Sequence, residues 1–214
     1  MDPSASIERI LIADDHAIVR KGLAETVLER YPHCHITHAS NAGELIACIQ
    51  ADAFDIALMD ISMPGVTGLE ALKQVRMIKP QLPVLILTAY PESQYAERAI
   101  RLGAMGYINK SVASDELVEA IRTVKAGKKF ITKAVAMILA EKDTGADEPH
   151  TNLSDREYEV MRLIAQGSSP KEIGEALSIS PKTVNSMRDR ILEKMNLASN
   201  AEIIRYAIQK KLVE

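Results

Sequence analysis

The chain has 214 residues, of which 47% are hydrophobic and 26% charged, and its formal net charge is −3 at pH 7. This length predicts one or two domains, each able to bury a core of its own. No apolar run approaches the roughly 18 residues that a membrane helix needs, and the first residues lack the features of a secretory signal. Two cysteines, Cys34 and Cys48, form no disulfide framework, so we expect a reduced, cytoplasmic protein without a membrane partner.

Residues 1–126 alternate two hydrophobic periods. Short apolar runs predict buried strands at 10–13, 36–39, 56–59, 84–87 and 107–109. Segments with apolar residues at helical spacing separate these strands, and Asn41 with Glu44 three residues later predicts a capping box before one of them. The alternation predicts an α/β domain, with a five-stranded parallel sheet covered by helices on both faces in the doubly wound, flavodoxin-like manner.

The remaining chain is predicted to be helical. Residues 127–150 read as a linker that carries a short helix at 133–141, because 143–152 are polar and lack an apolar period. Residues 151–214 then contain helix starts at Ser154, Ser169 and Ser180, followed by a fourth helix at 200–211. A short helix, a brief connection and a longer helix predict an all-α, four-helix domain with a helix-turn-helix.

Acidic residues follow two of the predicted strands. Asp14 and Asp15 come directly after the first strand, and Asp60 comes directly after the third. Because the carboxyl ends of parallel strands meet at one edge, we expect three crowded carboxylates, which a hard cation such as Mg²⁺ would stabilise. Thr88 and Lys110 end the fourth and fifth strands and would offer a hydroxyl group and a positive charge to a phosphoryl group.

The segments LIADDH, MDISMPGVTGLE, LILTAY and GYINK resemble the receiver domain of two-component response regulators over residues 7–126. The resemblance implies that Asp60 accepts a phosphoryl group from a sensor histidine kinase. It also implies that Asp15 and Asp60 ligate Mg²⁺ directly, that Asp14 acts mainly through water, and that Ser62 lends its backbone carbonyl group. Such a regulator is not a turning-over enzyme, beyond slow Mg²⁺-dependent self-phosphorylation and self-dephosphorylation.

Further roles follow from the same resemblance. Lys110 would bind the phosphoryl oxygens, Thr88 would move towards them, and Tyr107 would be the aromatic switch residue whose position tracks Thr88. Many receivers have a cis proline after the lysine, where this chain has Ser111. Tyr90, two positions after Thr88, is expected to restrict the approach of water to the acyl phosphate.

The sequence also offers two alternatives to this phosphorylation site. Phosphatases of the haloacid-dehalogenase type also use an aspartate after a strand, with a second aspartate two residues later as the general acid. Here that position is Ser62, which cannot act as a general acid at neutral pH.

A metal site is suggested by a cluster of possible ligands, namely His33, Cys34, His35 and His38. On a strand these side chains point to opposite faces, which disfavours convergent coordination.

The segment LSDREYEVMRLIAQGSSPKEIGEALSISPKTVNSMRDRILEKMNL contains Arg156-Glu157, Lys171-Glu172-Ile173 and Thr183-Val184. On these motifs residues 151–214 resemble the LuxR-type helix-turn-helix, and together with the receiver they resemble the NarL/FixJ arrangement. The predicted recognition helix is 181–196, with Val184, Ile191 and Met195 on its buried stripe, and Met187 stands where the family often has His or Tyr. The residues predicted to contact operator DNA are Lys171, Lys182, Thr183, Asn185, Ser186, Asp189, Arg190 and Lys194.

Pairing is predicted from the last helix. Ile203, Ala207 and Leu212 offer more apolar surface than a single small domain needs to bury, so we expect a homodimer on DNA or on phosphorylation, spanning two half-sites. The alternative is an interaction module whose helix-turn-helix binds protein or has lost DNA activity. DNA binding would weaken steeply with salt, which separates the two hypotheses.

Overall fold

The structure is a computed structural model that describes residues 7–63, 66–111, 114–142 and 148–213. It divides into two compact units, Met1–Leu139 and Ala140–Glu214. Within the described residues, no helix is both long enough and apolar enough to cross a membrane.

The first unit is built on a five-stranded parallel sheet with the strand order β2-β1-β3-β4-β5. Its strands are β1 (Arg9–Ala13), β2 (His35–Ala39), β3 (Ile56–Met59), β4 (Val84–Thr88) and β5 (Gly106–Asn109). Its helices are α1 (Ala17–Arg30), α2 (Ala42–Ala51), α3 (Gly68–Ile78), α4 (Glu92–Arg101) and α5 (Ser114–Lys125). The predicted doubly wound α/β fold is therefore confirmed.

Burial explains which strands the sequence marks clearly. Every residue of β3 and β4 is buried, and so are the last four of β1, because helices cover both faces of the central sheet. Strand β2 lies at the edge, and only Ala39 of its five residues is buried. Its mixed sequence is accordingly a weaker strand pattern than the apolar runs of the central strands.

The first unit continues past the predicted end of the receiver at residue 126. The Phe130 amide donates to the Met105 carbonyl oxygen at 2.8 Å, and Phe130 packs against the core of this unit. Helix α6 (Lys133–Lys142) begins three residues later, close to the predicted short helix at 133–141. Part of the predicted linker therefore lies against the sheet.

The second unit contains α7 (Asp155–Ala165), α8 (Pro170–Leu177), α9 (Pro181–Met195) and α10 (Asn200–Gln209), preceded by a short 3₁₀ helix, Pro149–Asn152. That 3₁₀ helix lies in a segment predicted to be unstructured, whose residues 143–147 fall outside the described ones. Capping boxes begin α7 and α8 as predicted. Helices α9 and α10 each end one or two residues before their predicted bounds, α9 because Asn196 turns into the left-handed region.

A close approach shapes the turn between α8 and α9. A β-carbon on Gly174 would lie 2.6 Å from the Ile179 carbonyl oxygen, so only glycine fits there. Ser178 adopts a left-handed conformation with φ of 54°, which reverses the chain within two residues. These features hold the two helices of the helix-turn-helix at a fixed crossing.

One prediction about α10 is wrong. Ile203 and Ala207 are completely buried and Leu212 is 3% exposed, all within a single chain. The small domain uses them to close its own core over α7, with which α10 makes extensive contact. The apolar residues that α10 leaves accessible are instead Ile204, which is half-buried, and Ile208, which is 55% exposed.

Candidate functional site

The parallel register of the sheet brings the acidic residues together. Ala13 pairs with Met59 at the carboxyl ends of β1 and β3, so Asp14 and Asp60 follow directly on neighbouring strands. The Asp60 amide donates to the Ala13 carbonyl oxygen at 2.9 Å, and both carboxylates are buried. Possible metal-ligand atoms of Asp14, Asp15, His16 and Asp60 all lie within 4.8 Å of one another. The crowded carboxylate cluster expected from the sequence is thus present.

Lys110 supplies the positive charge of this site. Its Nζ lies 2.5 Å from Asp60 Oδ2 and 2.5 Å from Asp14 Oδ2. Burial alone would lower the pKa of Lys110, but its hydrogen bonds to the two carboxylates, together with their charges, outweigh burial and raise that pKa. The ammonium group therefore stays charged throughout the neutral range and remains available to an incoming anion.

His16 is a member of the cluster that the sequence reasoning missed. Its backbone amide donates to Asp14 Oδ1 at 2.8 Å, and its Nδ1 lies 2.8 Å from Asp15 Oδ1. Adjacency to the two aspartates was the only sequence indication of this role. The metal site considered at His33, Cys34, His35 and His38 has no counterpart among the metal-ligating groups of the described residues.

Two hydroxyl groups face each other beside Asp60. The Ser62 amide donates to Asp60 Oδ1 at 3.0 Å, and Ser62 Oγ lies 3.5 Å from Thr88 Oγ1. Thr88 is completely buried at the end of β4, and its Oγ1 also accepts a long hydrogen bond of 3.4 Å from the Tyr90 amide. Thr88 is thus positioned between the acidic cluster and the loop that leads into α4.

Tyr107 lies inside the protein and holds the same loop. Its ring is completely buried, and its hydroxyl donates to the carbonyl oxygens of Tyr90 at 3.1 Å and Pro91 at 3.4 Å. Asn109, which the sequence reasoning missed, adds a 3.3 Å hydrogen bond from Nδ2 to the Ala89 carbonyl oxygen. Two side chains of β5, Tyr107 and Asn109, therefore hold the β4–α4 loop by hydrogen bonds to its carbonyl oxygens.

The chain after Lys110 is fixed without a proline. The described residues contain no cis peptide bond, so the bond between Lys110 and Ser111 is trans. The amide and the hydroxyl of Ser111 both donate to Asn109 Oδ1, at 2.9 and 2.7 Å. This local turn replaces the proline-based geometry that is common in receivers.

The second unit presents its polar residues on α9. Val184, Ile191 and Met195 are buried, as predicted, while Met187 is half-buried. Arg188 donates to Asn200 Oδ1 at 2.6 Å and to the neighbouring Asp189 at 2.9 Å. All eight residues predicted to contact DNA are exposed, namely Lys171, Lys182, Thr183, Asn185, Ser186, Asp189, Arg190 and Lys194.

Lys194 differs from the other basic residues of this set. Its Nζ lies 2.6 Å from Glu157 Oε2, and the same carboxylate oxygen accepts the amide and the hydroxyl of Ser154 in the capping box. The pKa of Glu157 is lowered because these hydrogen bonds outweigh the effect of burial. Lys194 thus joins the end of α9 to the start of α7.

A parallel-sheet domain with strand-end carboxylates and a paired lysine, followed by a helix-turn-helix domain, defines a class of regulator. The model of the response regulator receiver domain matches residues 10–122, and that of the bacterial regulatory proteins of the LuxR family matches residues 151–207. Response regulator UvrY of Escherichia coli K12 is 35% identical over 207 residues, covering 95% of this chain and 94% of UvrY. Oxygen regulatory protein NreC of Staphylococcus carnosus is 36% identical over 215 residues, covering 96% and 99%.

Solved structures agree with this assignment. The RcsB response regulator of Salmonella typhimurium is similar with a TM-score of 0.59 and 26% identity, covering 96% of this chain and all of that one. A LuxR-family response regulator from Aurantimonas sp. has a TM-score of 0.59 and 35% identity, covering 65% of this chain and 99% of that one. The chain belongs to the two-component response regulators of the NarL/FixJ type, with a receiver domain and a LuxR-type DNA-binding domain.

Proposed function

We propose that a sensor histidine kinase phosphorylates this protein on Asp60 and that the phosphoryl group controls sequence-specific binding to operator DNA. The observation that carries the proposal is the buried Asp60 carboxylate with the Lys110 ammonium at 2.5 Å and a second carboxylate, Asp14, on the same ammonium. A buried cluster of this kind has no stability rationale, since its carboxylates repel one another. It is well suited to a phosphoryl group that arrives with a cation.

Magnesium fits the donor set. Asp14, Asp15 and Asp60 offer carboxylate oxygens within 4.8 Å of one another, and hard oxygen ligands are what Mg²⁺ prefers. We assign Asp15 and Asp60 as direct ligands, Asp14 as a ligand through water, and Ser62 as a backbone carbonyl ligand. When bound, the ion would neutralise charge on the carboxylates and on the transferred group.

Phosphoryl transfer to Asp60 requires a nucleophilic carboxylate and a positive charge that binds the phosphoryl oxygens. An Asp60 carboxylate oxygen attacks the phosphorus of a phosphohistidine, the P–N bond breaks, and the imidazole leaves and takes up a proton. Lys110, held charged by Asp14, binds the phosphoryl oxygens as negative charge reaches them. Acetyl phosphate would serve as a small donor by the same attack, and slow hydrolysis would remove the group, so the protein is a regulator that is modified and not a turnover enzyme.

The switch connects this site to the α4 region. Thr88 lies 3.5 Å from Ser62 Oγ and would turn towards the phosphoryl oxygens. Its Oγ1 then leaves the Tyr90 amide, and the loop held by the Tyr107 hydroxyl is free to rearrange. Phosphorylation adds roughly two negative charges, enough to bias such a two-state loop.

The second unit is proposed to read DNA through α9. Lys182, Asn185 and Arg190 are exposed and carry the donors that base edges and phosphates require. Thr183, Ser186 and Asp189 lie beside them, and Lys171, the second residue of α8, is assigned as a phosphate contact. Lys194, already paired with Glu157, is assigned to holding α9 in place.

RcsB has been solved as two dimers bound to two parallel DNAs, and that structure is similar to this protein with a TM-score of 0.60 and 25% identity. By analogy, we propose a homodimer on two half-sites that pairs through Ile204 and Ile208 of α10. A regulator that receives its phosphoryl group from a kinase and binds chromosomal operators acts in the cytoplasm.

One experiment tests the proposal as a whole. The intact protein is treated with labelled acetyl phosphate and Mg²⁺, and DNA fragments that it retains are selected and sequenced with and without phosphorylation. We expect one phosphoryl group per chain, tighter DNA binding after phosphorylation, and affinity that falls steeply as salt rises. Labelling without any retained DNA would favour a module that signals through protein contacts.

A further inference from the structure

Residues 128–139, called the strap below, lie along the free edge of the sheet. Strand β5 is an edge strand, so one side of its backbone has no strand partner within the sheet. The strap occupies part of that side, because Phe130 forms an isolated parallel bridge with Gly106 and its amide donates to Met105. Phe130 also packs against the core of the first unit.

Gly106 permits this close approach. A β-carbon at this position would lie 2.9 Å from the Phe130 carbonyl oxygen and 3.1 Å from the Phe130 Cβ. The first of these distances is shorter than real β-carbons show and the second is tight, so a larger residue at 106 would push the strap away. Gly106 directly precedes the switch residue Tyr107. A movement of β5 at Tyr107 therefore changes the contact between Gly106 and Phe130 of the strap.

A second contact fastens the strap to α4. Thr132 Oγ1 donates to Glu92 Oε1 at 2.6 Å and accepts the Val135 amide at 3.2 Å, which begins α6. Val135 is completely buried. Glu92 is the first residue of α4 and follows Pro91, whose carbonyl oxygen accepts the Tyr107 hydroxyl. The strap thus bridges β5 and the start of α4, the two elements that the Tyr107 hydroxyl also joins.

An open groove lies next to the hydrogen bond that joins the strap to α4. A groove of about 390 Å³ lies beside the Thr132–Glu92 hydrogen bond, and its lining includes Pro91, Ile108 and Asn109. Loss of this bond exposes its polar groups to water in the groove, whereas release of the strap also exposes Phe130 and Val135, so the strap stays docked until β5 and α4 move.

We infer that the strap docks on one arrangement of β5 and α4 and is released when phosphorylation of Asp60 changes that arrangement. The inference rests on the proposed function. A segment bonded to two elements stabilises the relative position in which both bonds form, and it loses at least one bond when that position changes. By linkage, docking opposes phosphorylation and phosphorylation opposes docking to the same degree. The strap continues through α6 into residue 140, where the second unit begins, so its release changes the segment that leads into the DNA-binding unit.

The test is amide hydrogen exchange on the intact protein with Mg²⁺, with and without beryllofluoride as a phosphoryl analogue. We expect beryllofluoride to speed exchange at Phe130 and Val135. Thr132→Ala should raise basal exchange at both residues by about tenfold or more, the value of one hydrogen bond to a charged group, and should reduce the further response. Glu92→Ala removes the same Thr132–Glu92 bond but keeps the bond from the Val135 amide to Thr132, so it should raise exchange at Phe130 as Thr132→Ala does, and the double variant should add little there.

Matched controls isolate the bond. Thr132→Ser keeps the hydroxyl and should behave as wild type, and so should Lys129→Ala on the exposed part of the strap. If beryllofluoride alters exchange in the β4–α4 loop but not in the strap, the inference is wrong while the proposed function stands. If beryllofluoride alters neither the loop nor DNA affinity, both are wrong.

Discussion

The Lys110 ammonium and the Asp60 carboxylate, fifty positions apart in the sequence, meet at 2.5 Å at the carboxyl edge of the sheet. Asp14 Oδ2 lies at the same distance from the same nitrogen. Lys110 is therefore shared by two carboxylates, and it keeps one partner when the other is removed or modified. This sharing makes Asp60 replaceable without leaving an unpaired charge in the interior.

Asp60→Asn is expected to abolish phosphoryl labelling and to leave the fold intact. An amide is not a nucleophile towards phosphorus, whereas Lys110 retains Asp14 and the buried site keeps its shape. Labelling by acetyl phosphate, followed on a denaturing gel, measures the effect, with circular dichroism as the folding check. Asp115→Asn, at an exposed position in the first turn of α5, is the matched control and should label normally. Uptake at the wild-type rate by the Asp60 variant would assign the acceptor to another residue.

Thr88→Ala is expected to be phosphorylated but to respond poorly. The substitution removes the hydroxyl that lies between Ser62 and the Tyr90 amide, so the phosphoryl group loses its connection to the β4–α4 loop. Labelling should remain close to wild type, while the phosphorylation-dependent gain in DNA affinity should fall severalfold. Thr88→Ser restores the hydroxyl and should restore the gain. A full gain in the alanine variant would rule out the Thr88 relay.

The sequence predicted the sheet and the acidic site well because both depend on short-range patterns. Buried runs such as those of β3 and β4 mark strands, and residues directly after parallel strands must converge, which placed Asp14, Asp60 and Lys110 correctly. Asn109 was missed because its role depends on which carbonyl oxygens lie within reach of its amide group.

Two other features show the limits of pattern reading. Helical periodicity identified an apolar face on α10 but not the surface that covers it, so Ile203 was assigned to a partner although it closes its own domain. The strap is predicted as part of a linker with a short helix at 133–141, since GKKF at its start carries no strand or helix pattern. Its docking depends on an unpaired sheet edge and on the lack of a side chain at Gly106.

Ile208→Asp is expected to weaken cooperative DNA binding without destabilising the chain. Ile208 is 55% exposed on α10, so a carboxylate there is solvated in the monomer but would be buried in a pair formed through this helix. Binding curves on one-site and two-site DNA measure the effect. Ile203→Ala serves as the contrast, because its completely buried side chain should cost about 2–4 kcal/mol of stability instead. Unchanged cooperativity in Ile208→Asp would place the dimer contact elsewhere.

Glu159→Gln is expected to stabilise the second unit at high pH only. Burial raises the pKa of Glu159 to about 7, against the opposing charges of Arg156 and Arg162. Because the folded pKa exceeds the ordinary value, the stabilising contribution is present at low pH and is lost as pH rises through 7. The wild-type unit should thus lose roughly 2–3 kcal/mol between pH 5 and 8 from this group.

The glutamine variant lacks that dependence and should gain stability at pH 8 but not at pH 5. Amide exchange of the α7 backbone, corrected for intrinsic rates, reports the stability of the unit at each pH. Glu175→Gln changes an exposed carboxylate on α8 and should alter neither value. Parallel pH profiles for wild type and the Glu159 variant would show that this carboxyl does not titrate near 7.

Tyr90 is expected to prolong the phosphorylated state. Its ring packs against the buried ring of Tyr95 with centroids 5.1 Å apart, a contact that does not depend on the hydrogen bond between the Tyr90 amide and Thr88. A ring anchored in this way reduces the space through which water reaches the acyl phosphate in line with the bond to be broken. Ser62, on the other flank, is too weak a base to activate that water. We therefore expect the phosphorylated wild type to persist for minutes or more, and Tyr90→Ala to decay severalfold faster.

Decay is followed in Mg²⁺ without kinase, and Tyr90→Phe, which keeps the ring, should match wild type. Equal rates for the alanine variant and wild type would remove Tyr90 from this role, and a wild-type half-life of seconds would contradict the expected persistence itself.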